Sequence, residues 1–431
     1  MSSATSVEPL CSGVVEVDAA PVRSLRSNFS WTLVGNLVFA GTQWGILVVF
    51  AKLGNPESVG VFSLGLSITA PIMLFAGLQL RAVQATDARR MVPFADYAGT
   101  RTLSTCAAVL LICAISTAGY RGATAAAIAA LALSKGIESL SDIVYGLWQL
   151  QERMDLVARS LMLRGGLSLA ATTTCFVLWH TVWAAVCGMA IAWAGVFAFF
   201  DLRRAAGAGG ILFRYRWAAI KYLLRIASPL GIVTMLVSFN GNVPRYMISG
   251  MRGIRELGIF SALSYTLVAG SSIVNALGQS AMPRLAAYWA HGRAREFRKL
   301  ANQLLGLGLL LGGAGIIVSA VAGGPILKLI YGAEYAKNTG LFVWLMVAAA
   351  LNYLTSFAGY GLMAARLFRC QLPLFGSTTA LTLASCAWLV KADGARGAAQ
   401  AMAAVGVVQL LAMLALLNSR KTEQSTRLLW E

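Results

Sequence analysis

Apolar residues run through this chain in long blocks, and charged or turn-forming residues interrupt them only briefly. The blocks fall near 28–51, 58–80, 98–118, 122–149, 160–179, 182–200, 218–244, 257–282, 300–321, 338–364, 367–390 and 396–418. A helix needs roughly 20 apolar residues to cross the hydrocarbon core of a bilayer, and each block supplies about that many. The pattern predicts an all-α integral membrane protein of about 12 transmembrane helices. It divides the chain into a disordered cytoplasmic tail (1–27), an N-terminal lobe of six spans (28–200), a cytoplasmic linker (201–217), a C-terminal lobe of six spans (218–418) and a second cytoplasmic tail (419–431).

Composition supports the pattern. The mean hydropathy of the 431 residues is +0.70, and only 12% of them are charged, about half the share of a soluble domain. Lys and Arg outnumber Asp and Glu by 35 to 17. These cations sit in short clusters between spans rather than on one face, which excludes a nucleic-acid partner. When alternate loops are assigned to opposite sides, 25 of the 35 cations fall on one side. The other side has only Lys52, Arg121, Arg245, Arg252, Arg255, Lys328, Lys337, Lys391 and Arg396. The positive-inside rule then places both termini in the cytoplasm.

The spans contain a repeat. Gly60-Val61-Phe62-Ser63-Leu64 opens the second span and Gly258-Ile259-Phe260-Ser261-Ala262 opens the eighth, each after a short outer loop containing Glu57 or Glu256. Six spans separate the copies, so both halves enter the membrane from the same side as parallel repeats. Two such six-helix lobes with a cavity between them suit an alternating-access transporter.

Several chemistries are excluded. The outer loops are too short to hold the catalytic carboxylates of a membrane enzyme of glycan assembly, and no phosphate-binding GxxxxGK[ST] is present. His180 and His291 lie on opposite sides of the expected membrane. The seven cysteines form no CxxC pair, so neither a metal site nor a bound cofactor is expected.

The informative residues are charges inside spans. Lys135, Glu138 and Asp142 lie at i, i+3 and i+7 of the fourth span and share a face with Tyr145 and Gln149. A charge at the bilayer centre costs about 2.5 kcal/mol or more, so the three must face protein or a water-filled cavity. Two roles are open. Lys135 and Glu138 neutralise each other and only hold the helix in place, or Lys135 attracts an anionic substrate while Glu138 or Asp142 exchanges a proton or binds Na+. Arg164 in the fifth span and Arg245 at the outer end of the seventh either snorkel to headgroups or line the cavity. The Asn240-Gly241-Asn242-Val243-Pro244 stretch before Arg245 is expected to loosen its helix. Asn36 and Asn275 belong to polar stripes that serve either as helix contacts or as substrate contacts. Arg81, Asp87, Arg89 and Arg90 form the inner loop after the second span, a cytoplasmic gate or a contact with anionic lipids.

Three stretches resemble a known family: Leu53-Gly54-Asn55-Pro56-Glu57-Ser58-Val59-Gly60-Val61-Phe62-Ser63-Leu64, Leu80-Arg81-Ala82-Val83-Gln84-Ala85-Thr86-Asp87-Ala88-Arg89-Arg90, and Lys135-Gly136-Ile137-Glu138-Ser139-Leu140-Ser141-Asp142 running through Tyr145-Gly146-Leu147-Trp148-Gln149 to Glu152-Arg153. They are similar to the Wzx-type polysaccharide (O-antigen) flippases of the multidrug/oligosaccharidyl-lipid/polysaccharide (MOP) exporter superfamily. Tyr331-Gly332-Ala333-Glu334-Tyr335 carries a weaker likeness into the C-terminal half.

The resemblance implies a V-shaped, MATE-like pair of lobes that turns an undecaprenyl-pyrophosphate-linked oligosaccharide from the inner to the outer leaflet, for lipopolysaccharide or exopolysaccharide synthesis. It implies a basic hydrated cavity for the pyrophosphate, a proton or Na+ gradient as energy source, and membrane lipids and the polymerase machinery as partners. On this reading Lys135, Arg164, Arg245, Asn36 and Asn275 contact substrate, and Glu138 and Asp142 couple the ion. The alternatives are a multidrug exporter, which needs an acidic cavity for cationic drugs, and a flippase for the peptidoglycan precursor lipid II.

Overall fold

The computed structural model describes residues 25–87, 92–206, 213–365 and 368–427. Among these residues every regular element is a helix. The elements are α1 (Leu25–Leu53), α2 (Pro56–Gly77), α3 (Leu80–Thr86), α4 (Phe94–Gly119), α5 (Gly122–Leu150), α6 (Met154–Trp179) and α7 (Val182–Val196). α7 continues through a π-helical turn, Phe197–Leu202, into α8 (Arg203–Ala206). Then follow α9 (Trp217–Arg252), α10 (Ile254–Tyr265), α11 (Leu267–Ala290), α12 (Ala294–Ile330), α13 (Ala333–Ala336), α14 (Thr339–Ala364) and α15 (Phe368–Arg427).

Ten helices among the described residues are long and apolar enough to cross a membrane, or eleven if the bent pair α10 and α11 makes one span. The expected figure was about twelve. The two last expected spans run together in α15, which is non-helical at Asp393 and Gly394 and so consists of two arms. Gly394 sits there at φ +56°, where a side chain would be strained.

Local chemistry sets the helix ends. Asn55 Oδ1 accepts from the backbone N–H of Ser58 at 2.9 Å, and Pro56 takes the first helical position, where its missing N–H costs nothing. α2 stops at Gly77 because Leu78 and Gln79 adopt positive φ, 49° and 52°, after which α3 begins. Arg81 therefore stands on a helix rather than in the loop the hydropathy pattern suggests. Arg89 and Arg90 lie outside the described residues, as do residues 1–24 and 207–212. The Asn-Gly-Asn-Val-Pro stretch does not break α9, which stays helical throughout.

The described residues form two compact units. One takes those within Met1–Gly54 and Leu64–Phe239, the other those within Asn55–Ser63 and Asn240–Glu431. In the first unit, α1 and α6 approach closely through small residues. A Cβ on Gly35 would strike Ala158, and one on Gly165 would strike Thr42. Val144, Tyr145, Trp148, Leu156 and Val157 pack where α5 meets α6. In the second unit, Gly312 on α12 lies against Ala350 on α14, and Phe297, Leu304, Phe357 and Leu362 fill the core. The repeated glycines are also in contact there, since a Cβ on Gly60 would collide with the Ile254 carbonyl and one on Gly258 with the Pro56 carbonyl. Leu110, Ile191, Val321 and Trp388 stand fully outward, which suits a chain immersed in lipid.

Candidate functional site

The site grows from one face of α5 in the first unit. Lys135 Nζ donates to Glu138 Oε2 at 2.7 Å. Asp142, a turn further on, is clamped by two guanidinium groups: Arg81 of α3 reaches Oδ1 at 3.0 Å, and Arg101 of α4 reaches Oδ2 at 2.5 Å. Arg81 also donates through Nε to Gln149 at 3.1 Å and lies over the Tyr145 ring. The expected face of Lys135, Glu138, Asp142, Tyr145 and Gln149 is thus assembled in space.

Arg101 is buried, with 6% of its side chain exposed. Its other donors go to backbone, Nε to the Ser139 carbonyl at 3.0 Å and Nη1 to the carbonyl of Gly77. That second bond exists because α2 ends at Gly77 and leaves its last carbonyls open. Burying a cation costs several kcal/mol unless its donors are met, and here each of the three guanidinium nitrogens donates.

Arg164 of α6 is 1% exposed and sits between two aromatic faces, 5.5 Å from the Tyr145 ring centre and 5.4 Å from that of Trp193. Lys135 lies over the same Trp193 ring at 5.3 Å. The Arg164 Nη2 reaches Asp201 Oδ2 only at 3.7 Å. Asp201 lies on the π-helical turn, fully buried, and accepts from Ser160 Oγ at 2.7 Å; Ser160 in turn meets the Tyr145 hydroxyl at 2.7 Å.

Two cavities open along this α5 face. The larger, about 630 Å³, is lined by Arg81, Arg101, Lys135, Glu138, Asp142 and Gln149. The smaller, about 220 Å³, is lined by Asn36, Arg81, Glu138, Asp142, Tyr145 and Arg164. The larger cavity has three cations, Arg81, Arg101 and Lys135, against Glu138 and Asp142, so its walls carry a positive excess that suits an anion, whereas in the smaller Arg81 and Arg164 balance the same two carboxylates.

The structure brings Lys135, Glu138, Asp142, Arg164, Asn36 and Arg81 together in one unit. Asn36 donates to the Thr32 carbonyl at 2.8 Å. Asp87 accepts from the Val92 N–H at 3.2 Å and from the Tyr97 hydroxyl, closing the end of α3 onto α4. Arg245 and Asn275 belong to the second unit, where Arg245 donates to Asn242 at 2.9 Å and Asn275 accepts from Tyr360. The sequence reading missed Arg101, Asp201 and Trp193 as site residues. Arg101 lies three residues inside the expected third span, which was its available signal. Asp201 falls one residue past the expected sixth span and looked like part of a polar linker.

Comparison with known proteins bears on this architecture. A family model described as "Polysaccharide biosynthesis protein" matches residues 25–289. The chain belongs to that family. Within it, the stretches around Arg81 and around Lys135, Glu138 and Asp142 supply both halves of the clamped α5 face. The capsular polysaccharide biosynthesis protein CapF of Staphylococcus aureus is 28% identical over 318 residues, which is 73% of this chain and 80% of CapF. Among solved structures, an inward-facing MATE-family multidrug resistance transporter of the MOP superfamily is similar with a TM-score of 0.73 at 13% identity, over 91% of this chain and 99% of that one. The lipid II flippase MurJ is similar with a TM-score of 0.73 at 11% identity, over 90% and 87%. At these identities the structures show the fold alone, which this chain shares with both. The resemblance to polysaccharide flippases and the expected all-α membrane fold both hold.

Proposed function

We propose that this protein is a flippase that moves an undecaprenyl-pyrophosphate-linked oligosaccharide across the bacterial inner membrane during surface-polysaccharide synthesis. The observation that carries the reading is the positive excess on the α5 face, where Lys135, Arg81 and Arg101 line the larger cavity beside Glu138 and Asp142. A pyrophosphate headgroup needs cations of that kind, and a sugar needs polar walls. A cationic drug would meet repulsion there, which weighs against multidrug export. Membership of the polysaccharide biosynthesis family supports the glycan as cargo.

On this reading Lys135, Arg164 and Asn36 contact the headgroup in the first unit, and Arg245 and Asn275 are substrate contacts of the second unit taken by itself. Glu138 and Asp142 keep the cations apart and take part in coupling to a proton or Na+ gradient. Arg81, Asp87, Arg89 and Arg90 act at the cytoplasmic entrance. Both termini are cytoplasmic, transport runs by alternating access, and the product passes to a polymerase.

Deletion of the gene in its native host, with extraction of lipid-linked oligosaccharides, tests the reading. The expected result is accumulated undecaprenyl-pyrophosphate glycan with loss of surface polysaccharide, restored by wild type and not by Lys135→Ala. Unchanged lipid and polysaccharide pools, together with new drug sensitivity, would replace this reading with drug export. Arrested growth with accumulated peptidoglycan precursor would replace it with lipid II transport.

A further inference from the structure

A further cavity, about 1110 Å³, lies in the second unit and shares no lining residue with the α5 face. Three loops build it. The α9–α10 turn brings Arg252, Arg255 and Glu256, α13 and the start of α14 bring Glu334, Lys337 and Asn338, and the break in α15 brings Asp393 and Arg396. The charge pattern assigns all three loops to the outer side.

The frame of this cavity is held by its own contacts. Arg252 donates to the Val390 and Lys391 carbonyls at 3.0 and 2.8 Å, and Glu256 Oε1 accepts from the Ala395 N–H at 2.6 Å. The α9–α10 turn thus grips both sides of the α15 break. Gly394 admits the carboxylate, since a Cβ there would lie 2.0 Å from Oε1. Arg255 pairs with Glu334, and the buried Tyr331 and Tyr335 anchor the stretch that carries α13.

On that frame several groups are unspent. Lys337 has no partner among the described residues, and Arg396 approaches Asp393 only to 3.7 Å, beyond hydrogen-bond distance. Glu256 Oε2, Asp393 Oδ1 and Asn338 Oδ1 accept nothing among the described residues. Free donors and free acceptors therefore line one space, and across its wall four cations face three carboxylates, a nearly balanced charge. An anion uses donors alone and a metal ion acceptors alone, whereas each hydroxyl of a polyol both donates and accepts. The volume lies just above the roughly 300–1,000 Å³ of small-molecule clefts, which is room for several sugar rings and far more than a phosphate fills. Ile259 and Leu341 add apolar surface for the C–H faces of a sugar.

We infer that this cavity is a second, outer-face glycan site, which holds the oligosaccharide part of the cargo through its hydroxyls after the headgroup has crossed. The inference rests on the reading of the protein as a glycan flippase. Binding here favours states with the glycan outside and so opposes its return.

The test is titration calorimetry of the purified full-length protein with the oligosaccharide released by mild acid from the host's own surface polysaccharide, freed of lipid and pyrophosphate. Wild type should bind it, and inorganic pyrophosphate should not compete. Asp393 and Arg396 are each about half exposed, so the protein should fold without either side chain. Arg396→Ala and Asp393→Ala should each weaken binding by about tenfold or more, whereas Arg121→Ala, on an outer loop of the first unit, should leave it unchanged. Lys337→Ala serves where either cavity variant fails to fold.

Undiminished binding in the cavity variants, or competition by pyrophosphate, overturns the site and leaves the flippase reading standing. So does absence of binding to a wild-type protein whose deletion abolishes surface polysaccharide. A deletion that leaves surface polysaccharide intact overturns the reading and the site together.

Discussion

At the residue scale, burial separates ion pairs that hold the fold from those free to serve transport. Arg101 is buried and satisfies two carbonyls as well as Asp142, so Arg101→Ala should destabilise the protein by about 3 kcal/mol or more, seen as a large drop in melting temperature in detergent. Lys135 and Glu138 are each about a quarter exposed, and Lys135→Ala should cost about 1 kcal/mol or less. Loss of polysaccharide export in Lys135→Ala at near-normal melting temperature would separate transport from structure; an equal drop in both variants would make Lys135 structural. Outside the spans, Tyr335 is buried with its hydroxyl unpaired, and burial raises its pKa above the ordinary 10.0. The unfolded chain loses this proton first as pH rises, so wild-type stability should fall above that pH. Tyr335→Phe should be neutral at pH 7 and flatten the alkaline decline, which melting curves across pH would check. Of this scale, the α5 face was legible because three charges at helical spacing in an apolar run must turn together towards protein or water, never lipid. Arg101 was not, because a cation near a span end normally marks topology.

At the element scale, α1 and α6 pack through glycines at particular positions. Gly165 faces Thr42 with no room for a Cβ, while its neighbour Gly166 faces open space. Gly165→Val should therefore destabilise by about 1–3 kcal/mol. Gly166→Ala should be neutral or gain up to about 1 kcal/mol from helix propensity. Equal effects from the two variants in thermal melts would refute the packing. Span positions were readable from hydropathy alone, because an apolar block that long has to be a helix in lipid. The breaks inside blocks were not. The stop at Leu78 and Gln79, which turns Arg81 towards Asp142, and the π-helical turn that carries Asp201 depend on backbone angles that no apolar count reports.

At the scale of the whole molecule, the charge pattern makes a direct topological prediction. Alkaline phosphatase fused after Tyr120, His180, Gly253, Gly332 or Gly394 should be active, and fused after Glu152 or His291 it should be inactive; the opposite pattern would reverse the orientation. The sequence by itself determined a multi-pass helical membrane protein, its repeat, its family likeness and the ionisable face of α5. Hydropathy, charge bias and periodicity are all local in the chain, so they survive without coordinates. Only the tertiary structure decided which charges meet. Asp142 draws Arg81 and Arg101 from helices 61 and 41 residues away, and Ser160 meets Asp201 across 41 residues. Such contacts arise because a charge in a low-dielectric interior must be compensated by whatever the packing of helices brings near, and the packing is set by small residues and helix breaks spread along the chain.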